Sequence, residues 1–174
     1  MNKMILFSVI VNLSTAILSF FITRLYVLKN YNLPKFIDYF NIYTLAGFYT
    51  LLFYLKHYTN HLFYYIIITF VIFMYFLRSN ESTTKKYHER FRTMILSFGY
   101  TRTTYFEYFL SKKLFIKGFE SFSFSTAMFL LFEEIVYENL SAFSPVLVVM
   151  ISALFFTASM IKSFKTGKIY KIVK

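Results

Sequence analysis

The chain has 174 residues, of which 57% are hydrophobic and 24% aromatic, and only 16% are charged. A soluble domain is about 45–50% apolar and about 25% charged, so the composition excludes that class and points to an integral membrane protein. The formal net charge is +11. With no polar domain to carry it, this excess reads as cytoplasmic loops and contact with membrane lipid, and no nucleic acid partner is expected. Cysteine is absent, which excludes disulfides and thiolate chemistry. The length suits roughly four to six spans of ~20 residues, organised as one all-α polytopic bundle over 1–174.

The first apolar run is 4–23, closed by Arg24. Its preceding region carries only Lys3 and no small-x-small cleavage site follows, so it reads as an uncleaved helix rather than a signal peptide. A less clean run over 39–55 begins beyond Asp38 and Asn41 and is closed by Lys56. After the turn KHYTNH comes LFYYIIITFVIFMYFL, the span 62–77, and then the polar stretch RSNESTTKKYHER. Two further spans are expected at 118–137 and 143–161, the last with Pro145 in the tolerated first turn. About five transmembrane helices result, with a segment 78–117 between the third and fourth and a basic tail 162–174.

Basic residues orient these spans. Arg78, Lys85, Lys86, Arg90, Arg92, Arg102, Lys112, Lys113 and Lys117 lie in 78–117. Lys162, Lys165, Lys168, Lys171 and Lys174 recur every third residue in the tail. Two spans separate these groups, and the turn between those spans holds Glu133, Glu134 and Glu138 without Lys or Arg. Working backwards, KHYTNH is outside, Arg24, Lys29 and Lys35 are inside, and the N-terminus is outside. One assignment places every basic cluster in the cytoplasm.

Catalytic chemistry finds little support. None of Gly47, Gly99, Gly118 and Gly167 begins a phosphate-cradling G-x-x-x-x-G-K-[ST] loop, so nucleotide-driven work falls to a partner chain. His57 and His61 are four apart but sit in a turn without an acid to complete a ligand set, and no metal site is expected. FEEIVYEN resembles the EExxxR signature of the CPBP family of intramembrane proteases. Position 138 is Glu where that signature needs Arg, and no histidine follows. Glu133 and Glu134 stand instead as candidate contacts for a cationic substrate.

The segment ERFRTMILSFGYTRTTYFEYFLSKKL, residues 89–114, partly segregates apolar and cationic residues, as expected of a helix lying along a membrane or protein surface. Gly99 is placed to end that helix in a left-handed conformation. Thr101 or Thr103 is placed to cap a second helix through Tyr105, Phe109 and Leu110.

ILSFGYTRTTYFEYFLSKKLFIKGF resembles the Leu-Gly-x-Ser-Arg segment of FtsX/MacB/Bce-type ABC transporter permeases. On that match Phe98-Gly99 stands for the family's Leu-Gly, Thr101-Arg102 for its Ser-Arg, and Tyr105 for its apolar position, with Glu89-Arg90 as the preceding charged pair. The resemblance covers about 30 residues by motif and about 120 by topology. The chain departs from it in replacing the large extracellular domain by KHYTNH, in adding an N-terminal span, in having Phe91 where an acid is common, and in placing Lys112 or Lys113 near a usual Glu.

The resemblance implies a bacterial cell-membrane permease subunit without catalytic activity or a cofactor of its own. ATP and Mg would be held by a separate ATPase. Docking would run through Arg90, Arg92, Met94, Ile95, Phe98, Gly99, Thr101, Arg102 and Tyr105. Such a subunit works as a homodimer or with a second permease subunit, exporting or extracting an amphipathic peptide or lipid-like compound. The competing reading is a bacteriocin-immunity or accessory membrane protein without a transport cycle, whose basic segment merely anchors to anionic lipid.

Overall fold

In the computed structural model of the chain, residues 2–29, 31, 33–56, 58, 61–138 and 144–172 are described, with side chains except at 2–4, 61, 88–93, 96, 102, 137–138 and 165–172. All regular structure among them is helical. The order is α1 (Asn2–Lys29), a 3-10 turn (Lys35–Tyr39), α2 (Ile42–Leu55), α3 (His61–Ser97), α4 (Arg102–Thr104), a π segment (Tyr105–Leu110), α5 (Ser111–Phe132), a second π segment (Glu133–Glu138) and α6 (Pro145–Ile172).

Four stretches are long and apolar enough to cross a membrane: Ile5–Lys29, Leu62–Tyr87, Tyr105–Val136 and Pro145–Phe164. The fifth expected span is the shorter apolar α2. Its 14 residues are about 21 Å long at 1.5 Å per residue, short of the ~30 Å hydrocarbon layer. Expected to begin at 39, it begins later because Pro34 precedes a 3-10 turn and the Asn41 side chain then accepts from the Tyr43 N–H at 3.0 Å, which fixes the helix start.

Contacts tie the helices together at two ends. Arg24 on α1 meets Glu107. The carbonyl of Asp38, just before α2, accepts from Arg78 on α3 and Ser163 on α6. At the opposite end Lys56, after α2, meets Glu133, after α5. The first group forms a basic end that also carries Lys85, Lys117 and Lys162.

Composition is turned inside out relative to a soluble bundle. Large apolar side chains such as Leu6, Ile10, Phe21, Ile66, Phe119 and Leu154 are exposed, whereas Ser8, Asn12, Thr15, Ser19 and Thr23 of α1 are buried. The spacing of those five polar residues, four or three apart, sets them on one helical face, and that face meets α3. Asn80 Nδ2 donates to Ser19 Oγ at 3.0 Å. Ser79 and Ser121 share a 2.6 Å hydrogen bond between α3 and α5, and Tyr49 and Ser125 one of 3.1 Å between α2 and α5. Asn41 Nδ2 donates to Ser159 Oγ at 2.9 Å between α2 and α6. Small residues let membrane helices approach closely, and their hydroxyls join them.

The apolar core sits where α2, α3 and α5 converge. Tyr49, Phe53, Tyr64 and Phe129 are buried there, with Phe53 and Phe129 edge to face at 5.0 Å. Such ring pairs add about 0.5–1.5 kcal/mol beyond area burial.

The polar stretch 78–89, which reads in sequence as the start of a loop, continues α3 without a break. No Gly or Pro lies between 62 and 98, so nothing local stops the helix. Ser79, Asn80, Glu81 and Thr83 are buried. Residues 102–117 likewise run without a break into α5. The segment 78–117 is therefore two helical extensions joined by a short elbow, not a separate loop. The basic tail continues α6 to Ile172.

Gly47 of α2 lies directly against α6. A Cβ there would lie 3.0 Å from Phe156 Cε1 and 3.2 Å from Phe155 Cβ. Gly47→Ala is expected to destabilise the bundle by about 1–3 kcal/mol through overpacking, measured as a lower thermal midpoint in detergent. An unchanged midpoint would contradict the α2–α6 packing.

Candidate functional site

The elbow between α3 and α4 is built by local signals. Phe98 N–H donates to Ile95 O at 3.2 Å as α3 ends. Gly99 then takes φ 83°, a left-handed value that costs other L-residues roughly 1–2 kcal/mol. Thr101 starts the return. Its Oγ1 accepts from the Thr104 N–H at 3.3 Å and its carbonyl from the Tyr105 N–H at 2.9 Å.

The sequence-derived docking residues divide here. Met94, Phe98, Gly99 and Thr101 are exposed around the elbow, and Tyr100 adds another exposed ring. Phe98 is 70% exposed and lies with Met94 and Tyr100 in one apolar patch at the turn, the kind of contiguous surface that marks interaction sites. Tyr105 turns inward instead, and Ile95 is partly buried. Both belong to a second apolar cluster formed by Tyr105, Phe106, Leu110 and Leu114, with Phe20, Val27 and Tyr87 packed against it. These two residues tie the extension to α1 and α3. Arg90 and Arg92 lie on the last turns of α3 and Arg102 opens α4, which puts all three beside the elbow; their side chains lie outside the described residues.

The π segment Tyr105–Leu110 begins just past the elbow, and such segments mark functional sites with high frequency. Its Glu107 pairs with Arg24 at 3.1 Å, both being about half exposed. A surface pair of this kind contributes about 0–1 kcal/mol, so the apolar cluster rather than the ion pair holds the elbow to α1.

The basic end contains a network that sequence reading did not find. Lys85 Nζ lies 2.8 Å from Glu81 and 3.7 Å from Asp38. The Asp38 carbonyl accepts from Arg78 Nε at 3.2 Å and Ser163 Oγ at 2.8 Å. The network gathers α3, α6 and the 3-10 turn. Only the i,i+4 spacing of Glu81 and Lys85 was visible in sequence.

At the opposite end Glu133 is buried and pairs with the equally buried Lys56 at 3.0 Å. The Lys56 ammonium also sits over the Phe53 and Tyr64 rings at 5.9 and 5.8 Å. Of the two acids read as substrate contacts, Glu133 is thus engaged within the protein, and Glu134 is exposed beside it. Side chains of Glu138, His61 and His88 lie outside the described residues, as does His57 entirely. Among the described residues no three His, Cys, Asp or Glu side chains group as metal ligands do.

Removing one member of a buried pair strands the other charge at a cost of about 3–5 kcal/mol, while an apolar replacement of both is near neutral. Lys56→Met is therefore expected to lower stability by that amount, and Lys56→Met combined with Glu133→Leu to recover most of it. Unfolding of the four species in detergent checks this; additive losses in the double variant would refute the pairing.

Compared with known proteins, the chain matches no family model, no curated protein and no solved structure.

Proposed function

We propose that the chain is the membrane subunit of a bacterial ABC transporter, driven by a separate ATPase that binds at the elbow. The observation that carries this reading is the exposed apolar tip of Met94, Phe98 and Tyr100 at the left-handed Gly99 turn, joined at both sides to helices that run into the bundle. Apolar anchors flanked by the cations Arg90, Arg92 and Arg102 fit a groove on a soluble partner.

α3 has 37 residues, about 55 Å of unbroken helix. A displacement at the elbow therefore reaches the Lys56–Glu133 end along one rigid element. The ATPase holds ATP and Mg and supplies the energy. The chain supplies the docking surface, the lever and the membrane path, which one small bundle forms together with a second copy or a second permease subunit. The orientation supporting this role has the basic end in the cytoplasm and the N-terminus outside, with α2 completing a fifth crossing. An amphipathic peptide or lipid-like compound suits the apolar exterior as cargo.

The accessory or immunity reading draws support from a different observation. The centre of the bundle is closed by Tyr49, Phe53, Tyr64 and Phe129, which leaves no polar path through those residues.

Purification of the tagged chain in mild detergent separates the two. An ATPase is expected to co-purify, and its yield to fall at least about tenfold, a loss of ~1.4 kcal/mol, with Phe98→Asp or with Arg90→Glu combined with Arg92→Glu. Phe98 lies outside both buried clusters. A folded chain that retains no ATPase under these conditions rejects the permease reading and leaves the accessory one.

A further inference from the structure

Between α3 and α5 a groove of about 420 Å³ opens at the basic end. Lys86 and the hydroxyl residues Ser82 and Thr83 line it from α3; Lys113, Lys117 and Glu120 line it from α5. The Lys86 and Lys113 ammoniums converge on one ring, lying 5.6 and 5.8 Å from the centre of Tyr87. Lys117 Nζ is held 2.7 Å from Glu120 Oε1. Three ammoniums face one carboxylate, so the groove is net cationic. The Thr83 hydroxyl already donates to Ser79 O at 3.0 Å, which leaves the lysines as the main donors to an incoming group.

Its position relative to the apolar surface identifies the occupant. Lys86 and Tyr87 are the last residues of the stretch Leu62–Tyr87 that is apolar enough to cross a membrane. Ile116 lines the groove, and Phe119, three residues further along α5, lines the neighbouring apolar cavity toward α1; both are 65% exposed. Tyrosine and lysine at the end of an apolar helix mark the headgroup level of a bilayer. A ligand here meets cations at one end and outward-facing aromatic and aliphatic surface at the other.

We propose that this groove binds the headgroup of an anionic phospholipid, its phosphate between Lys86 and Lys113 and its acyl chains along Ile116 and Phe119. The site is separate from the elbow and does not depend on an ATPase partner. Glu120 limits its strength by occupying Lys117.

Native mass spectrometry of the full chain in neutral detergent, titrated with phosphatidylglycerol and with phosphatidylcholine of the same acyl chains, tests this. Phosphatidylglycerol is expected to bind at least about tenfold more tightly, and the preference to fall about fivefold for each of Lys86→Gln and Lys113→Gln, following ~1 kcal/mol per cation near an anionic surface. Lys112→Gln, exposed on the same turn but outside the groove, is expected to change nothing. Glu120→Gln is expected to tighten binding, an outcome that a folding defect does not mimic. Equal binding of the two lipids, or equal effects of Lys112→Gln and Lys113→Gln, would overturn the proposal. Displacement of phosphatidylglycerol by millimolar inorganic phosphate would also overturn it in favour of a soluble anion. An anionic preference indifferent to all the groove variants would leave the patch to an acidic protein surface.

Discussion

Hydrogen bonds between small polar side chains on neighbouring helices are the contacts on which the rest of this molecule depends. Its helices present apolar surface outward, and lipid gives no hydrophobic reason for such helices to associate. What brings them together is close approach and shared hydroxyls: Ser19 with Asn80, Ser79 with Ser121, Tyr49 with Ser125, Asn41 with Ser159. Each such bond is worth only about 0.6 kcal/mol on average in membrane proteins. The seams are effective because they are repeated, and because the serines leave room for the helices to touch. The aromatic cluster around Phe129 then fills the space where three helices meet.

Two ends with different chemistry follow from this frame. At one, a buried ion pair between Lys56 and Glu133 joins the ends of α2 and α5. At the other, Asp38 and Lys85 collect α3, α6 and the 3-10 turn into a network that is partly open to solvent. The elbow lies beyond that network, fastened to α1 by the cluster around Tyr105 and Leu110. A rigid bundle thus ends in an exposed apolar tip at the end where the cations gather, the arrangement from which the docking proposal proceeds.

Sequence made some of this legible and hid the rest for identifiable reasons. The apolar runs 4–23, 62–77 and 118–137, and nearly all of 143–161, fall inside helices, because side-chain hydropathy reports directly on lipid-facing surface. Gly99 and the Thr101 cap were readable because turn and cap chemistry is local. The polar stretch after 77 was not, because an average over polarity does not separate a loop from a helix whose polar face is buried against other helices. Lys56 and Glu133 are 77 residues apart, so no spacing rule pairs them; Lys56 looked like an ordinary boundary charge and Glu133 like a substrate contact. Ile95 and Tyr105 were grouped with Phe98 by motif, yet only the three-dimensional packing separates the residues that hold the elbow from those that present it.

The placement of the elbow in the cytoplasm is the claim on which the functional account rests. The chain has no cysteine, so single substitutions Phe98→Cys at the elbow and Tyr58→Cys at the opposite end give unambiguous labelling with a membrane-impermeant maleimide. The account predicts that in intact cells Tyr58→Cys is labelled and Phe98→Cys is protected until the membrane is permeabilised. Labelling of Phe98→Cys from outside, with Tyr58→Cys protected, would contradict it.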